Sequence, residues 1–130
     1  MRDMRNERVR RAGVREERLR ATAGLRGNIN LSSWRGRSGR RYVVGVHSLS
    51  ETDILDVTDA IILAVRRDEN GVARLIDIAT AGPKPRDRLR KSWMSTVRAR
   101  GATEMHVHRL AESAEARRAI VEDLREEAEA

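Results

Sequence analysis

AIILAVRRDENGVARLIDIATAGPKP, residues 60–85, carries the strongest structural signal in the chain. Two apolar, β-branched runs, Ala60 to Arg67 and Val72 to Ala79, flank Asp68-Glu-Asn-Gly71, and an Asn-Gly pair between such runs is the strongest short hairpin signal. Pairing about a two-residue turn sets Val65 opposite Ile76 and Leu63 opposite Ile78, which gathers an apolar set on one face. The same register puts Arg67 opposite Arg74, an unfavourable pair unless an acid lies between them. It also turns Asp77 to the opposite face, where the reading is a solvated carboxylate. Gly82-Pro-Lys-Pro85 ends the hairpin, and Pro85 suits the first turn of a helix because its missing N–H costs nothing there.

Downstream, Leu89, Trp93 and Val97 recur every four residues with Met94 beside them and basic residues between, the pattern of an amphipathic helix ending at Gly101. Thr103 to Leu110 reads as a strand, and Ser113 as the N-cap of a last helix with Ala116, Ile120, Val121 and Leu124 inward. Upstream, Tyr42 to Leu49 reads as a strand. The expectation is an α/β (α+β) domain over residues 42–130, a small mixed sheet of about four strands in the order β-β-β-α-β-α, covered by two helices. A split sheet of ferredoxin-like type is the alternative.

The chain has 130 residues, 27 Lys and Arg against 20 Asp and Glu, and a formal charge of +7, so it has room for one small domain. With 39% apolar residues and nine glycines it has enough to form a core, which excludes a wholly disordered protein. The charge is uneven. Residues 1–41 hold thirteen arginines against four acids, whereas residues 42–130 hold fourteen basic against sixteen acidic residues. Within 1–41, residues 4–23 read as a marginal helix and the Gly-, Ser- and Asn-rich 27–41 as a loop anchored by Trp34. Residues 1–41 are therefore expected to be a basic arm, partly disordered or helical. The absence of cysteine excludes disulfides, a thiol nucleophile and Cys-ligated zinc. The longest apolar run, Ala60 to Val65, is too short to span a bilayer, and the N-terminus lacks a secretory h-region, so no membrane association and a cytoplasmic location are expected.

A basic arm on a nearly neutral body suits nucleic-acid contact through phosphates. The residues expected to make it are Arg35, Arg37, Arg40 and Arg41 beside Trp34, and Arg86, Arg88, Arg90 and Lys91 on the helix. Three aromatic residues are too few for a base-stacking platform. An acidic protein partner, or a second copy of the chain, is the alternative occupant of the arm. His106 and His108 alternate on one strand face with Glu104, a weak candidate metal set. No Ser-His-Asp order, phosphate loop or zinc-protease motif is present. The leading reading is a non-catalytic binder with no cofactor.

The order hairpin, basic helix, strand, helix over residues 58–125 resembles the GIY-YIG nuclease domain, with Ala60-Ile61-Ile62 similar to its first motif, Asp77-Ile78-Ala79 with Gly82 similar to its second, and GATEMHVHRL from Gly101 similar to its third strand. The resemblance implies a nuclease dependent on magnesium or manganese, with Arg88 as the motif arginine and Glu122 as the metal-binding glutamate. The family's two tyrosines fall on Ile62 and Asp77, neither of which carries a phenol, so the resemblance implies a degenerate member without its nucleophile-activating groups.

Overall fold

The computed structural model describes residues 13–18, 30–50, 54, 57–84 and 87–125. Six strands form one sheet: β1 (Arg15–Arg18), β2 (Asn30–Arg35), β3 (Arg41–Ser48), β4 (Ala60–Arg67), β5 (Ala73–Ala81) and β6 (Glu104–His108). Helix α1 (Asp87–Ala99) lies between β5 and β6, and α2 (Ala114–Leu124) follows β6. The spatial order is β1-β2-β3-β6-β4-β5, and every neighbouring pair is antiparallel. This corrects the expected four-stranded mixed sheet. The extra strands come from residues read as marginal helix and loop, because Arg15–Arg18 and Asn30–Arg35 both pair into the sheet.

The sheet curls until its edge strands β1 and β5 approach each other, leaving a concave and a convex face. β4 is covered on both faces, which is why Ala60 to Val65 is an unbroken apolar run rather than an alternating one. On the convex side Ala60, Ile62, Met105 and Val107 pack with Met94 of α1 and with Ile54 and Val57. On the concave side Ile61, Leu63, Val65, Trp34 and Val44 pack with Val121 and Leu124 of α2. Leu89, expected in the apolar stripe of α1, is instead 59% exposed. Ser113 caps α2, its hydroxyl accepting from the Ala116 N–H at 3.0 Å.

The β4–β5 hairpin forms where Asn70-Gly71 predicts it, but with a three-residue loop. The Asp68 N–H donates to the Val72 carbonyl at 3.0 Å, the Asp68 carboxylate accepts from the Asn70 and Val72 N–H groups, and Gly71 has φ +83°, a conformation glycine adopts without strain. The odd loop length offsets the register by one, so Arg66 faces Arg74 and Arg67 faces Ala73. The offset is absorbed between Ala64 and Val65, where Val65 pairs with Leu75, Ala64 pairs with Asp77, and Ile76 is left over as a bulge. Leu75 therefore takes the concave place expected for Ile76, and Ile76 packs on the convex side near Ala64 and Val97. Asp77, read as solvated, accepts the Trp93 indole N–H at 2.7 Å.

No helix among the described residues is long and apolar enough to cross a membrane.

Candidate functional site

α2 is held at the sheet by its last turn. Ser38 in the β2–β3 loop donates its N–H to Asp123 Oδ1 at 2.8 Å and its hydroxyl to Oδ2 at 2.7 Å, and the Tyr42 hydroxyl donates to Oδ2 at 2.7 Å. The Arg37 N–H donates to the Asp123 carbonyl at 2.9 Å, and its guanidinium to the Glu122 carbonyl at 2.8 Å. Gly36 is required by this close approach, because a Cβ there would sit 2.1 Å from Asp123 Oδ2. Burial pushes the Asp123 carboxyl up, but the donors from Ser38 and Tyr42 outweigh it and hold the group below its ordinary range. Burial and the neighbouring carboxylate push the Tyr42 phenol up to about 12.

Two clefts flank α2. One, of about 420 Å³, lies between the helix and the loop and is lined by Ser38, Arg40 and Tyr42. The other, of about 350 Å³, runs between α2 and the end of β5, with Arg117, Arg118, Glu122 and Arg125 on one side and Thr80 to Pro83 on the other. Across that Thr80–Pro83 ridge, toward α1, lies a cavity of about 550 Å³ that Lys84 and Arg90 line. Basic residues thus follow one another from the loop (Arg37, Arg40), over α2 (Arg117, Arg118, Arg125), to the start of α1 (Lys84, Arg90). Among the described residues, Arg117 lies 3.7 Å from Asp59 and Arg125 lies 3.7 Å from Glu122.

Of the eight residues expected to contact nucleic acid, Arg37, Arg40 and Arg90 lie on this path, and Lys91 is exposed on α1. Arg90 is mostly buried and donates to the Ile54 carbonyl at 2.8 Å. Arg88 falls in the first turn of α1, and Arg86 lies outside the described residues. Arg35 and Arg41 lie apart from this path. They align with Arg15 across β1, β2 and β3 on the convex face around a single carboxylate, Glu17. Arg41 Nε donates to that carboxylate at 2.5 Å and Arg15 at 3.0 Å, while the Arg35 guanidinium stands 3.9 Å away. Burial pushes Glu17 up, and the Arg15 and Arg41 hydrogen bonds more than reverse it.

The cations that sequence reading missed are Lys84, Arg117, Arg118 and Arg125. The last three stand in a helix judged by its apolar positions and its acidic tail, and their place in the fold gives them meaning.

Glu104, His106 and His108 share a strand face as expected, and all three are engaged in hydrogen bonds. The buried Trp34 indole N–H donates to His106 Nδ1 at 2.9 Å, and His106 Nε2 meets Glu104 Oε1 at 2.9 Å. His108 Nδ1 lies 2.7 Å from the Val43 carbonyl, so it carries the proton there. Among the described residues no group of three His, Asp or Glu side chains is arranged to hold a metal. Arg67 completes the cluster, donating to Glu104 at 2.8 Å and to Glu16 of β1 at 2.7 Å, with Ser32 donating to Glu16 at 2.9 Å. Hydrogen bonds to the two glutamates raise the Arg67 guanidinium further, while both carboxyls, pushed up by burial, are pulled below their ordinary values by Arg67.

At the positions that the nuclease resemblance singles out, Ile62 is buried in the convex core, Asp77 is bonded to Trp93, and Glu122 is exposed in the cleft beside α2. Comparison with family models, curated proteins and solved structures finds no match for this chain.

Proposed function

We propose that this protein is a non-catalytic, cytoplasmic nucleic-acid binder that takes the phosphate backbone along α2 and the elements on either side of it. The observation that carries the reading is the cleft between α2 and β5, where Arg117, Arg118 and Arg125 stand with Glu122 as the one acid among the described lining residues. Guanidinium groups suit phosphate because their planar forks match its oxygens in pairs. Arg37 and Arg40 on one side and Lys84 on the other extend the basic path beyond a single phosphate. Contacts of this kind position a protein on nucleic acid without reading its sequence.

The test is binding of the intact protein to a labelled DNA duplex and an RNA hairpin by fluorescence anisotropy, from about 50 to 200 mM salt. The expected result is affinity that falls steeply with salt, with a slope reduced by about two in the double variant Arg118→Ala, Arg125→Ala. No binding at the lowest salt would sink the reading and turn attention to an acidic protein partner. Magnesium or manganese in the same mixtures tests the nuclease that the resemblance implies. Strand cleavage that Glu122→Ala abolishes would replace binding with catalysis.

A further inference from the structure

We propose, resting on the reading above, that the cavity beside α1 receives one unpaired base, so that the preferred ligand is single-stranded nucleic acid or a duplex with an extruded nucleotide. The cavity's volume of about 550 Å³ falls in the range of sites that enclose a small organic molecule. Its described walls divide by chemistry. Ile54, Ala79, Leu89 and Trp93 supply apolar surface, and Lys84 and Arg90 supply the cations. A flat heterocycle with a phosphate attached has the matching division. Leu89 is 59% exposed on a helix where Met94 and Val97 are fully buried and Trp93 is half-buried. A ring laid against Leu89 would cover surface that the fold leaves in water.

The neighbouring cleft shares a wall with the cavity. Thr80 to Pro83 lines both spaces, and none of these four residues carries a long side chain. A strand whose phosphate is held by Arg118 and Arg125 can cross that ridge and place its next base in the cavity. A regular duplex keeps its bases stacked inside and offers the cavity only its backbone. One enclosed base also differs from a stacking platform, which needs a row of exposed aromatic rings.

The experiment compares three labelled probes of equal length at one low salt concentration: a thymine single strand, the same backbone without bases, and a duplex. The expected result is that the thymine strand binds at least about tenfold more tightly than the abasic strand, with the ratio collapsing toward one in Leu89→Ser. That exposed position tolerates a small neutral side chain, and the ratio cancels any general loss of affinity. Equal binding of the thymine and abasic strands, or a ratio unchanged in Leu89→Ser, overturns the base cavity while leaving phosphate binding in place. Failure of all three probes to bind overturns both.

Discussion

Trp34 has one polar hydrogen to give, and it gives it to His106 Nδ1 inside the concave core. That bond decides the imidazole's state. Nδ1 must be the acceptor, so Nε2 carries the proton and donates to Glu104, and the ring is neutral. A second proton on Nδ1 would point at an N–H that cannot accept it. Burial pushes His106 below its ordinary value of 6.5, and the nearby carboxylates of Glu104 and Glu16 only partly offset this against Arg67 and the loss of water. Because the folded value is depressed, the stability it contributes is present above pH 6.5 and is lost as pH falls toward the folded value, where the unfolded chain takes up the proton first. The urea midpoint should therefore fall between about pH 7 and pH 5. In His106→Gln, whose amide can accept from Trp34 and donate to Glu104 without titrating, the slope over that window should flatten. An unchanged slope would show that His106 does not set it. Below the ordinary carboxylate value of 4.5, protonation of Glu16 and Glu104 should bring a further loss, since both are held down by Arg67.

Elements in this protein are built partly by what they meet. The loop between β2 and β3 can reach Asp123 only because Gly36 has no side chain, so Gly36→Ala should force the loop off α2. A loss of about 1–3 kcal/mol is expected, from the overpacking and the strained Ser38 and Tyr42 hydrogen bonds. Thermal melts report it, and a melting temperature equal to the parent's would mean that the loop tolerates the displacement. The same dependence on partners explains what could be read in advance. β3, β4, β5, β6 and both helices announce themselves through apolar runs, a turn and a cap, all local signals. β1 does not. Arg-Glu-Glu-Arg has no apolar face, and it is a strand because Glu16 finds Arg67 across the curled sheet while Glu17 gathers Arg15 and Arg41. β2 is similarly quiet, since Leu31 and Trp34 are its large apolar residues and the Ser32 and Ser33 between them are buried through bonds to β1. The basic path was half legible. Charge clusters flagged Arg37, Arg40 and Arg90, but Arg117, Arg118 and Arg125 join them because of where α2 lands, which no spacing in the sequence encodes.

At the scale of the whole molecule, residues 1–41 hold more than a charge. They include two of the six strands, the Trp34 side chain of the concave core and the Glu16 carboxylate that closes the sheet on Arg67. Removing them would uncover the full edge of β3 and take Glu16 from Arg67 and the Trp34 indole from His106. The truncated chain, residues 42–130, is expected to lose cooperative thermal unfolding by circular dichroism and to elute as aggregate. A sharp transition in a monomeric truncation would mean that the remaining four strands suffice. Sheet order has one more consequence, which concerns synthesis rather than the finished molecule. β6 sits between β3 and β4, so the strand that joins the two hairpins is made after both of them. A nascent chain leaving the ribosome therefore carries two open strand edges that have no correct partner until His108 has emerged. At about 5–20 residues per second that interval lasts seconds, long enough for neighbouring nascent chains on one message to pair wrongly and for a chaperone to be useful.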